Sequence, residues 1–206
     1  TNMFYITLQA SNPDVIRKII AGGITFSFSK SEQSPHSAVV TFPAYNKSYP
    51  PLNQSIYKIP LNRKDTLQSR LEQDSAMNVY NNELKTKLKL IGIRGVKEIK
   101  DSLLSIYNEE GIRAAAAFDA NLDLTYELGL PLHYLGFDSK ETSTIFYQVK
   151  LNGIYGNVTL MSTARGDMIM SVGENGRSFT RGLATPQKLL LGFDTSFSGE
   201  YTLANK

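Results

Sequence analysis

The chain of 206 residues has no cysteine, no tryptophan and only two histidines. The missing cysteines exclude disulfides and thiolate-bound metals. The missing tryptophans remove the indole faces on which sugar-binding platforms rely. His36 and His133 are far apart, and no carboxylates accompany them at metal-ligand spacing. No G-x-S-x-G nucleophile turn and no G-x-x-x-x-G-K-[ST] phosphate loop occurs. No apolar run reaches the ~18 residues of a membrane span. The net charge of +3 is small and spread along the chain, so it does not demand a nucleic-acid or membrane partner. The opening "TNMFYITLQA" has no basic segment followed by an apolar one, which suits a cytoplasmic chain or one whose signal has been removed.

What is present is a globular composition, with 41% hydrophobic and 20% charged residues, enough for one sizeable domain over 1–206. Alternation dominates. Phe4, Ile6, Leu8 and Ala10 share a face, as do Ile24, Phe26 and Phe28, and again Ile145, Tyr147, Val149 and Leu151. Further strands are expected in "SAVVTFP", "KLKLIGI" and "GEYTLA". The clearest case is 122–132, where every even position is apolar and Pro131 stops the pairing because it lacks an N–H. "IRAAAAFD" and this strand are joined around "DANLD", which predicts a hairpin. Asn12, Pro13, Asp14 and the Gly22-Gly23 pair frame a short helix. Residues 64–87 predict a surface helix with a thin apolar stripe of Leu67, Leu71, Met77, Tyr80 and Leu84.

Strands with one polar face each predict a mainly β fold, an antiparallel β-sandwich with one or two inserted helices. A helical and loop insertion is expected over about 43–87, and a mobile loop over about 153–187, where Gly, Ser, Arg and Met are frequent and periodicity is low.

Few motifs suggest chemistry. Gly92-Ile93-Arg94-Gly95 resembles the GXXG loop of KH domains, in which Arg94 and Lys97 would touch a nucleic-acid backbone. The alternating approach to Gly92 and the missing following helix argue for a strand and turn instead. Asp119, Asn121 and Asp123 alternate in a tight turn that offers oxygens to calcium, although the rest of an EF-hand loop is lacking. Tyr45, Tyr49 and Tyr57 sit in a Pro-rich stretch, where they would either present a sugar platform or staple the loop to the sandwich. Met161, Met168 and Met170 would line a soft apolar surface.

The segments "MFYITLQASNPDVIRKIIAGGITFSFS", "LKLIGIRGV" and "GIRAAAAFDANLDLTYELGLPL" resemble, in their order, a group of secreted or lipid-anchored proteins from Bacteroidetes-type bacteria. The "YELGLPL" ending is also similar to family 9 carbohydrate-binding modules and the DOMON superfamily, β-sandwiches that bind sugars or haem. The likeness spans about 3–30 and 88–135. It implies an immunoglobulin-like or jelly-roll-like sandwich and a periplasmic, outer-membrane-anchored or extracellular address, with a lipid anchor upstream of Thr1. The tryptophan pair of the sugar binders and the Met and His ligands of the haem binders have no counterpart, so no ligand residue transfers. The expected function is a non-enzymatic ligand-binding or interaction module for a glycan or another envelope protein. It needs no cofactor beyond a candidate calcium ion and no nucleic acid. The alternatives are the KH-like RNA binder and a hydrolase with an unrecognised site.

Overall fold

The computed structural model describes residues 3–31, 38–46, 67–136, 144–154, 157–174 and 177–203. They form a β-sandwich with inserted helices. The thinner layer has the order β1 (Met3–Ala10), β7 (Leu124–Pro131), β6 (Arg113–Phe118), all antiparallel. The broader layer has six antiparallel strands. Their order is β12 (Thr195–Thr202), β8 (Thr144–Leu151), β2 (Ile24–Ser29), β3 (Ala38–Ala44), β4 (Leu90–Arg94) and β5 (Leu103–Ser105).

Alternation in β7 decides how the layers meet. Leu124, Tyr126, Leu128 and Leu130 are each 1% exposed, while Glu127 on the other face is in water. Complete burial of one such side chain contributes about 2 kcal/mol. The Tyr126 ring lies 5.8 Å from that of Phe26 on β2 and 5.7 Å from that of Phe42 on β3, so β7 sits over the middle of the broad sheet. At the layer's start, Phe4 meets Phe28 edge-on at 5.8 Å. The pairing of β7 ends at Pro131 opposite Met3, as its missing N–H requires.

Helix α1 (Pro13–Gly22) is built as its caps dictate. The Asn12 side-chain Oδ1 accepts from the amides of Asp14 and Val15, Pro13 opens the helix, and Gly23 closes it at φ 76°. Helix α2 (Leu67–Lys87) docks by its C-terminal half: Tyr80 and Leu84 are buried and Met77 is half-buried, whereas Leu71 is exposed. This helix caps the end of the free edge of β6 at Phe118. Asn81 donates from Nδ2 to the Phe118 carbonyl at 2.9 Å and accepts the Phe118 amide at 2.7 Å, completing the strand as a neighbouring strand would. The Tyr80 ring packs on Phe118 at 5.6 Å.

The stretch 153–187 departs from the expected loop. It holds a second three-stranded antiparallel sheet, β9 (Asn157–Ser162), β10 (Met168–Glu174) and β11 (Arg177–Leu183), and the start of a third helix, α3 (Pro186–Gly192). The polar composition hid strands whose pairing is short-range, with β9 and β10 joined by a turn in which the Thr163 amide donates to the Asp167 carbonyl. The described residues hold three α-helices, more than the one or two expected in the sandwich. The α3 signal was present: Thr185 caps the Lys188 amide, with Pro186 in the first turn and Gly192 at the end.

Two substitutions test this packing. Asn81→Ala strands both backbone groups of Phe118 and is expected to cost about 1–3 kcal/mol in urea unfolding. The Tyr126 hydroxyl is fully buried with no hydrogen-bond partner, and burial raises its pKa well above the ordinary value. Tyr126→Phe removes that desolvated group and should leave stability unchanged or raise it by about 1 kcal/mol.

Candidate functional site

A β-sheet has two edges, and each exposes backbone donors and acceptors unless something covers them. Of the four edges of the sandwich, β6 is capped at its Phe118 end by Asn81 of α2 and β5 is cut to three residues. The other two edges, β1 and β12, are eight residues long and carry no further strand among the described residues. Neither contains Lys, Arg or Pro, and Glu200 is their single charge. They lie on the same side of the sandwich, where the Phe4 and Tyr201 rings approach to 5.9 Å and the space between the layers is otherwise open.

That opening is a cleft of about 470 Å³, within the ~300–1,000 Å³ range of ligand pockets. The inward residues Phe4, Ile6 and Leu8 of β1 form one wall. Tyr147 and Val149 of β8 form the floor, with Phe197 and Tyr201 of β12 and Leu203 beyond them as the other wall. The register explains this grouping, since Phe197 stands opposite Val149 and Gly199 opposite Tyr147. The Tyr147 ring lies over Gly199, where a Cβ would meet its hydroxyl at 2.7 Å and displace it. The same device holds β1, where the Tyr5 ring covers Gly129 opposite it. Phe197 is 55% and Tyr201 53% exposed, whereas their neighbours on β2 and β7 are sealed. Among the described residues the lining includes hydroxyls but no charged or amide side chain.

The residues singled out from sequence fall elsewhere. The Tyr45 hydroxyl donates to the Ile20 carbonyl, and burial pushes its pKa up, so Tyr45 staples the end of β3 to α1. Tyr49 and Tyr57 lie outside the described residues, as does His36. Asp119, Asn121 and Asp123 do share one turn. There Asp119 Oδ1 accepts the amides of Asn121 at 2.8 Å and Asp123 at 2.9 Å, which ties the hairpin turn. Leu122 takes a positive φ of 59° in that turn, which carries its side chain into the core. Among the described residues no group of three His, Asp or Glu side chains could hold a metal ion. Gly92 and Arg94 belong to β4, flanked by β3 and β5, and Gly95 starts the following turn, so the helix-flanked clamp of a KH domain is not formed. Met161 and Met168 are exposed on the second small sheet, while Met170 is buried. Sequence reasoning missed the cleft because its walls read as ordinary core positions. The signal was the unbroken alternation Phe197, Gly199, Tyr201, Leu203, which supplies the second wall. Compared with known protein families, curated proteins and solved structures, the chain matches none.

One polar cluster fixes the start of the β12 wall. Lys18 of α1 is buried and donates from Nζ to the Phe193 carbonyl and, at 2.8 Å, to Thr195 Oγ1. Burial lowers the Lys18 pKa, and nearby Asp194 partly offsets this. Asp194 accepts the Gly153 amide at 2.8 Å and pairs with Lys150 at 3.0 Å. Burial alone would raise the Asp194 pKa, but the Gly153 amide, Lys150 and Lys18 outweigh it and hold the carboxyl below the ordinary value of 3.8. A depressed carboxyl pKa contributes stability above the unfolded value and loses it as pH falls through the folded one. Asp194→Asn should therefore flatten the decline in melting temperature below about pH 4. Lys18→Met leaves the Phe193 carbonyl unpartnered and should cost about 1–3 kcal/mol in urea unfolding.

Proposed function

We propose that this chain is a non-enzymatic binding module that engages an apolar partner surface through the β1–β12 cleft. The observation that carries this reading is the exposure of Phe197 and Tyr201 beside half-buried Phe4, Ile6 and Leu8 around one cleft. An occupant that covers these rings gains apolar burial at about 25 cal/mol per Å², and the hydroxyls of Tyr147 and Tyr201 can orient it. A sugar would call for carboxylate or amide partners for its hydroxyls, and the lining supplies none. An apolar occupant is therefore favoured over the glycan expected from the sequence. The periplasmic, outer-membrane-anchored or extracellular address enters this proposal on the sequence resemblance alone. Among the described residues no helix is long and apolar enough to cross a membrane.

The test is titration of dilute protein with the apolar dye anilinonaphthalene sulfonate, read by fluorescence, with near-UV circular dichroism as the check on native packing. Saturable binding is expected, weakened at least tenfold by Phe197→Ser and by Gly199→Val, which pushes Tyr147 into the cleft. Equal dye binding by natively packed wild type and both variants would refute the cleft as the site.

A further inference from the structure

We infer that the occupant of the cleft is a second copy of this chain, joined edge to edge about a twofold axis that pairs β1 with β1 and β12 with β12. The inference rests on the cleft being the interaction surface and adds the partner's identity.

Three observations support it. First, the fold protects its edges selectively. It caps the Phe118 end of the six-residue β6 with Asn81 of α2 and shortens β5 to three residues, yet leaves β1 and β12 at eight residues each. Long edges without lysine, arginine or proline are the kind that pair with another chain. Second, the two open edges flank one cleft, so a single twofold operation satisfies both. Strands of like identity meet antiparallel, each sheet continues into its own copy, and the self-complementary patch required of a closed dimer is formed. The apolar walls Phe4, Phe197 and Tyr201 of the two copies then face each other across a shared interior. Charge does not oppose this, since β1 carries none and Glu200 is the single charge on β12. Third, the area suffices. Strands of eight residues run about 27 Å at ~3.4 Å per residue, and two layers ~10 Å apart with their side chains are about 20 Å deep. The edge face is therefore about 550 Å² per copy, or about 1,100 Å² in total, against the ≈1,000 Å² that a biological interface should clear.

The experiment is sedimentation velocity of the full chain from ~1 to ~100 μM, with circular dichroism confirming that each variant is folded. A concentration-dependent dimer is expected. Phe197→Lys and Tyr201→Lys each bring like charges together across the twofold axis and should weaken dimerisation at least tenfold. Leu183→Lys, on the exposed face of the second small sheet, should leave it unchanged. A wild type that stays monomeric throughout overturns the inference. If the dilute monomer still binds the dye in the cleft, the binding reading stands and its partner is another apolar surface. If it binds no dye, that reading falls as well. A dimer that survives both cleft substitutions uses another face, and this also overturns the inference.

Discussion

The structure depends on a mismatch in width. Three strands at about 4.8 Å spacing cannot roof six, so the thin layer must be extended or part of the broad sheet's inner face left bare. On one side α2 supplies the extension, bonded to β6 through Asn81 and packed on Phe118 through Tyr80. On the other side nothing among the described residues follows β1, and the inner face of β12 is only half covered, with Tyr201 leaning on Phe4 at 5.9 Å and Phe197 55% exposed. The core and the cleft therefore have one cause. The same alternation that seals Tyr126 against Phe26 and Phe42 leaves Phe197 and Tyr201 half in water four strands away from β4.

The cleft is also mechanically tied to the rest of the molecule. Its β12 wall begins where Lys18 reaches from α1 to Phe193 and Thr195, and where Asp194 holds Gly153 and Lys150 at the end of β8. These contacts fix where β12 leaves α3, and hence where Phe197 and Tyr201 stand. A buried lysine is costly unless it is satisfied. Its two oxygen acceptors and the neighbouring carboxylate make this one tolerable and give the junction a defined geometry.

Much of the fold was legible in the sequence because period-2 patterning is local. The strand at 124–131, its hairpin with 113–118 and the capped helix at 13–22 each carry their signal within about a dozen residues. The sheet at 157–183 was not legible, since its strands mix Ser, Thr, Arg and Gly with apolar residues and are held by register with one another. The candidate site was legible only in part. Tyr45 reads as a platform or a staple from sequence, and the carbonyl of Ile20 decides for the staple. Asp119 reads as a calcium ligand or a turn former, and the amides of Asn121 and Asp123 occupy one of its oxygens. The cleft has no motif. It arises because β1 and β12, far apart in sequence, end at the same side of two sheets of unequal width.

The most direct test of this account is hydrogen–deuterium exchange by mass spectrometry on peptides covering 3–10, 195–202 and 124–131, measured in dilute and in concentrated protein. In dilute solution the outward amides of β1 and β12 should exchange far faster than those of β7, and at high concentration both edges should gain protection together. If β1 and β12 are already as protected as β7 in dilute protein, or if only one of them responds, the two edges do not form a single open site and the account is contradicted.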